Sequence, residues 1–124
     1  MKLTLIPQRW DMVAPFVTAS ETVNHIDVLH VTAEQNGYLG RAETMGVDYL
    51  DETIESLQAE LSALDPMAID RLSHEAVQDL LPPGGSRNGL DCALWDLQAK
   101  QTARGISALT GITLAPLHTL FTLS

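Results

Sequence analysis

Apolar positions alternate over the first forty residues and recur at three- and four-residue spacing after residue 48. Leu3 and Leu5 alternate with polar neighbours, and Val13 and Phe16 flank Pro15. That is the pattern of a bent or edge strand, because proline has no N–H to give to a ladder. Residues 26–34 are rich in β-branched side chains and lead into Asn36-Gly37. Both of those positions tolerate positive φ, so the pair marks a tight hairpin, with Tyr38 to Glu43 as the returning strand. The pattern predicts a three-stranded antiparallel sheet with a loop near residues 18–25.

From Asp48 the period changes. Leu50, Ile54, Leu57, Leu61 and Leu64 form one helical stripe, and Asp65-Pro66 restarts the chain with an N-cap and a proline at the first helical position. Ile69, Leu72, Ala76, Val77 and Leu80 form a second stripe, which Pro82-Pro83-Gly84-Gly85 ends. A third helix begins near Ser86, carries Leu90, Ala93, Leu94 and Leu97, and stops at Gly105. A short turn from Ile106 to Leu109 ends at Gly111. Strands first and helices second make an α+β fold, a three-stranded sheet followed by a three- to four-helix bundle. At the end, Leu120, Thr122 and Ser124 alternate with Phe121 and Leu123. A strand needs a partner for its backbone groups, so the chain is expected to break off as a new element starts.

Composition narrows the classes. The 124 residues suit one domain and fall short of the roughly 200 that a (β/α)8 barrel needs. Seven Lys and Arg stand against 16 Asp and Glu, a net charge of −9, which argues against nucleic acid as a partner. The net is −2 over residues 1–40, −8 over 41–80 and +1 over 81–124. The middle carboxylates interleave with apolar residues at helical spacing, as on solvated helix faces. No run approaches the ~18 apolar residues of a membrane span, and no secretory signal is visible. The single cysteine, Cys92, has no internal disulfide partner and fits a reducing cytoplasm.

Single residues read mostly as scaffold. Cys92 is expected as a small buried hydrophobe and Trp95 as a core anchor. Arg87 and Asp91 have the i, i+4 spacing of a structural ion pair. His25, His30, His74 and His118 are scattered without the spacing of a helical zinc pair. Gly84-Gly85 lacks the lysine of a phosphate loop and reads as a turn.

Several segments nonetheless carry a resemblance. Gly40-Arg-Ala-Glu43, Leu50-Asp-Glu-Thr53, Leu109-Thr-Gly-Ile112 and above all Arg87-Asn-Gly-Leu-Asp-Cys-Ala-Leu-Trp-Asp-Leu97 within Leu80–Lys100 resemble the enolase superfamily, muconate-lactonizing subgroup. Within it the chain is similar to dipeptide epimerases of the L-Ala-D/L-Glu type. The resemblance implies an N-terminal capping domain over residues 1–111, with 112–124 as the linker and start of the first strand of a catalytic barrel. In such enzymes the barrel supplies three carboxylates for Mg2+ and two lysines on opposite faces of the substrate α-carbon. One lysine removes the α-proton, the metal stabilises the enediolate, and the other lysine can return a proton. Lys2 and Lys100 are the only lysines here, and neither lies in a K-x-K motif. No catalytic or metal-binding residue is therefore expected in this segment, which alone should be inactive; the parent protein would be an isomerase.

The cap's implied task is to cover the substrate. The resemblance points to a loop from Phe16 to about Ile26, with Phe16, Thr18, Glu21, Val23 and His25 as candidate specificity residues. Leu50 falls in a second covering loop, and Thr122 on the incipient barrel strand. The Ala-Glu type carries an arginine in the first loop for the glutamate side chain; the matching position here is Val23. Without that cation, hydrophobic or cationic dipeptides are favoured over acidic ones. The implied partners are the chain's own barrel and a dipeptide. Homo-oligomerisation is a further expectation, since a lone cap exposes an apolar face. Open alternatives are a cap of o-succinylbenzoate synthase, N-acylamino-acid racemase or cycloisomerase, or a stand-alone binding or assembly module.

Overall fold

The computed structural model describes residues 1–19 and 21–120. Asn36 and Gly37 take φ of 52° and 80°, the two positive values a tight two-residue hairpin turn needs. This turn sets β2 (Thr22–Gln35) against β3 (Tyr38–Thr44), from Gln35↔Tyr38 to Leu29↔Thr44. The long β1 (Lys2–Val17) lies antiparallel on the other side of β2, giving the order β1-β2-β3. Its ladder runs from Lys2↔Glu34 to Asp11↔His25, breaks, and resumes at Phe16↔Val23. The break holds Pro15, which cannot donate a ladder hydrogen bond. The expected loop is therefore shorter than 18–25, because residues 22–25 belong to β2.

This register places Leu3, Leu5, Leu29, Val31 and Ala33 on one face, with Gly40, Ala42 and Thr44 beside them on β3. Helix α4 (Gly85–Thr102) lies across that face. Small residues allow the close approach: a Cβ on Gly40 would sit 2.0 Å from the Ala93 carbonyl oxygen, and one on Gly89 2.6 Å from Thr44 Cγ2. The core joins Leu29, Val31 and Ala33 to Leu57, Leu61, Val77, Leu81, Leu90, Ala93, Leu94 and Leu97.

Caps explain where the helices depart from the hydrophobic stripes. Helix α1 (Ile54–Ser62) begins late, because Thr53 and Ser56 form a reciprocal capping box. Leu50 is thereby left in a 3-10 turn, Asp48–Leu50, and is exposed. The second expected helix splits into α2 (Pro66–Asp70) and α3 (Val77–Leu80). Ser73 Oγ accepts the Ala76 N–H and starts a fresh turn, a local bond that competes with helix continuation. At the end of α4, Ala103 takes the left-handed conformation, φ 52°. Gly105, expected there, instead precedes α5 (Ile106–Thr110) as its N-cap.

Three expectations on α4 are corrected. Cys92 and Trp95 lie roughly 200° and 140° around the helix from buried Leu90 at 100° per residue. Cys92 is accordingly exposed, and Trp95 is half-buried and stacks on His74 with ring centroids 3.7 Å apart. Arg87 and Asp91 form no ion pair; Asp91 Oδ1 is buried without a polar partner, and burial pushes its carboxyl above the usual range. The helix's ion pair is Asp96–Lys100 at 2.6 Å, and the same Asp96 oxygen accepts the Arg41 N–H at 2.8 Å, tying α4 to β3. Residues 111–120 take no regular structure, with Ile112, Leu114, Leu117 and Leu120 exposed. Thr122 and the rest of the expected final strand lie outside the described residues.

Candidate substrate groove

Beyond Leu29 the β1/β2 hairpin loses its helical cover, and the inner face of the sheet continues as Arg9, Asp27, His25 and Val23. Opposite stands the segment that follows β3, with Met45 and Gly46, and the start of α1, with Glu52 to Glu55. Together they border an open groove of about 650 Å3, within the size range of small-molecule sites. Apolar lining comes from Val23, Ile26 and Ile54, and polar lining from Arg9, Glu21, His25, Asp27, Glu52 and Glu55.

Glu52 holds the second wall in place. Its carboxylate accepts the Val47 N–H at 3.0 Å and the Gly85 N–H at 3.0 and 3.2 Å. Gly85 opens α4, which has no side-chain cap of its own, so Glu52 satisfies a free donor and sets a negative charge at the positive helix end. At the other wall, Arg9 and Asp27 are cross-strand neighbours. Arg9 Nε donates to Asp27 Oδ1 at 2.6 Å and Nη2 to Oδ2 at 2.8 Å. The hydrogen bond to Arg9 lowers the Asp27 pKa, while burial opposes it; Asp27 in turn raises that of Arg9. His25 Nε2 lies 3.8 Å from Asp27 Oδ2. Thr18 N–H donates to the Glu21 carbonyl and Glu21 N–H to Thr18 Oγ1, closing the hairpin end.

Of the sequence candidates, Glu21, Val23 and His25 line the groove. Phe16 is half-buried opposite Val23 in the ladder, Thr18 sits at the hairpin end, and Leu50 lies in its 3-10 turn outside the lining. The segment expected as a loop from Phe16 to Ile26 is therefore mostly paired strand. Arg9, Asp27 and Glu52 were missed. The β1–β2 register that brings Arg9 to Asp27 depends on the irregular residues 12–15, and no turn motif announces it.

Among the described residues no three His, Cys, Asp or Glu side chains are placed to hold a metal ion. Neither Lys2 nor Lys100 lines the groove, and Lys100 is engaged by Asp96 and the Leu39 carbonyl. The arrangement brings an ion-paired wall and a carboxylate-braced wall to the two sides of one open groove. No helix among the described residues is long and apolar enough to cross a membrane.

A three-stranded antiparallel sheet followed by a few helices, with its hairpin left open to one side, is the architecture of the enolase N-terminal capping domain. Residues 1–111 match the mandelate racemase / muconate lactonizing enzyme, N-terminal domain, and the chain belongs to that family. It is 35% identical over 107 residues to L-Ala-D/L-Glu epimerase of Escherichia coli K12, covering 86% of this chain and 33% of that protein. It is 36% identical over 98 residues to N-acetyl-D-glutamate racemase of a Pseudoalteromonas species, covering 75% and 31%. An enolase family member from Agrobacterium tumefaciens with homology to dipeptide epimerases superposes with a TM-score of 0.83 at 28% identity, covering 93% of this chain and 36% of that one. Its crystal structure holds sodium and L-Ala-L-Glu with an ordered loop. The chain thus spans about a third of the length of these relatives, and its described residues form no barrel.

Proposed function

We propose that residues 1–111 are the substrate-covering domain of an epimerase that inverts the α-carbon of a dipeptide, with 112–124 leading into the barrel that carries the chemistry. The observation that carries this reading is the groove between the β1/β2 hairpin and the 45–55 segment, in a chain this similar to dipeptide epimerases. The lysines and the Mg2+ site of the reaction belong to that barrel. The groove's part is to bind the substrate side chain and shield the reacting centre from water. Val23, Ile26 and Ile54 suit an apolar side chain, and Glu21 and Glu55 a cationic one. Similarity to the Pseudoalteromonas racemase supports a second reading, an N-acyl amino acid as substrate.

The test is a domain graft: residues 1–111 replace the matching cap of the E. coli epimerase, and α-proton exchange in D2O is followed by 1H NMR over a dipeptide panel. Exchange with neutral or cationic side chains is the expected result. A folded graft that exchanges N-acyl amino acids and no dipeptide supports the second reading, and one that exchanges neither class overturns both.

A further inference from the structure

The groove contains a guanidinium whose carboxylate is supplied from within. Arg9 is the single Lys or Arg among the residues that line it, and Asp27 occupies its Nε–Nη2 edge with two short bonds of 2.6 and 2.8 Å. That edge is the planar fork a ligand carboxylate would take. Both side chains are open to solvent, 57% and 43% exposed, so the pair faces the groove rather than the core. The rest of the lining adds no Lys or Arg: on the second wall Glu52 is spent on the Val47 and Gly85 amides, and Glu55 there and Glu21 at the hairpin end repel anions.

We propose that Asp27 masks Arg9 and so sets the selectivity of the groove, turning it against acidic side chains while keeping an arginine in place to receive one. The proposal rests on the reading of the groove as the substrate-recognition surface. Asp27 is held opposite Arg9 by the β1–β2 ladder, so it competes with any free carboxylate without an entropic cost of association. Removing its charge frees the hydrogen-bonding fork of the same guanidinium, with Asp11 left as a neighbouring carboxylate that makes no hydrogen bond to it.

Two measurements test this on Asp27→Asn. In the 124-residue chain, the Arg9 Nε–H resonance is followed by 15N NMR while N-acetyl-L-glutamate is added. The wild type should stay still, and D27N should shift saturably. In the domain graft, D27N should raise kcat/KM for L-Ala-L-Glu relative to L-Ala-L-Leu by about tenfold, the order expected for one exposed charge-assisted contact. Arg9→Met in the D27N background should abolish both effects. An Arg9 signal in D27N that ignores the ligand, or a gain that survives R9M, overturns the masking. Should D27N fail to fold, Asp27→Ser is measured by the same NMR titration and judged by the same outcomes. A wild-type graft inactive on every dipeptide counts against the proposed function, and the NMR titration then decides the masking independently.

Discussion

The two ends of the sheet are built on different physics. At the α4 end, Leu29, Val31, Ala33, Leu90 and Ala93 are fully buried and backbones approach so closely that Gly40 has no room for a methyl group. At the hairpin end the same strands expose Ile6, Trp10, Val13 and Val17, and the inner face changes from Leu and Val to Arg9, His25 and Asp27. Burial of apolar area holds the first end. Hydrogen bonds and ion pairs between exposed groups shape the second, and such pairs add little stability. One end can therefore change its side chains at small cost in folding, which is where a selective surface belongs.

Breaking the packed end should have the largest effect. Gly40→Val drives a side chain into the Ala93 carbonyl and the Leu97 backbone. It should cost about 3 kcal/mol or more, read as a lower urea midpoint. Glu52→Gln acts at the joint between the ends: it keeps the size of the side chain and removes the charge that accepts the Val47 and Gly85 amides. A loss of about 1–2 kcal/mol is expected, with faster hydrogen exchange at Val47 and Gly85 than in α1. Val23→Arg, on the groove wall, should change stability by less than about 1 kcal/mol. In the domain graft it should nevertheless raise kcat/KM for L-Ala-L-Glu, because it adds a cation that Asp27 does not occupy. Equal stability losses at Gly40 and Val23 would erase the contrast between the ends.

The packed end was largely legible in the residues. Asn36-Gly37 announced the turn, and with it the β2–β3 register; Leu57, Leu61, Leu90, Ala93 and Leu97 were readable from helical spacing. Helix ends were less so, because they follow single side-chain bonds such as those of Thr53 and Ser73 rather than periodicity. The groove was legible in part. Glu21, Val23 and His25 follow from the family resemblance and do line it. Arg9–Asp27 and Glu52–Gly85 join residues 18 and 33 positions apart, through a register and a helix placement that no local motif encodes.

The role proposed for this groove is to choose the substrate side chain. It is tested most directly by the ratio of kcat/KM for L-Ala-L-Leu to that for L-Ala-L-Glu, measured in the E. coli epimerase before and after its cap is replaced by residues 1–111. The ratio should rise in the graft. An active graft that keeps the parent's ratio would contradict it.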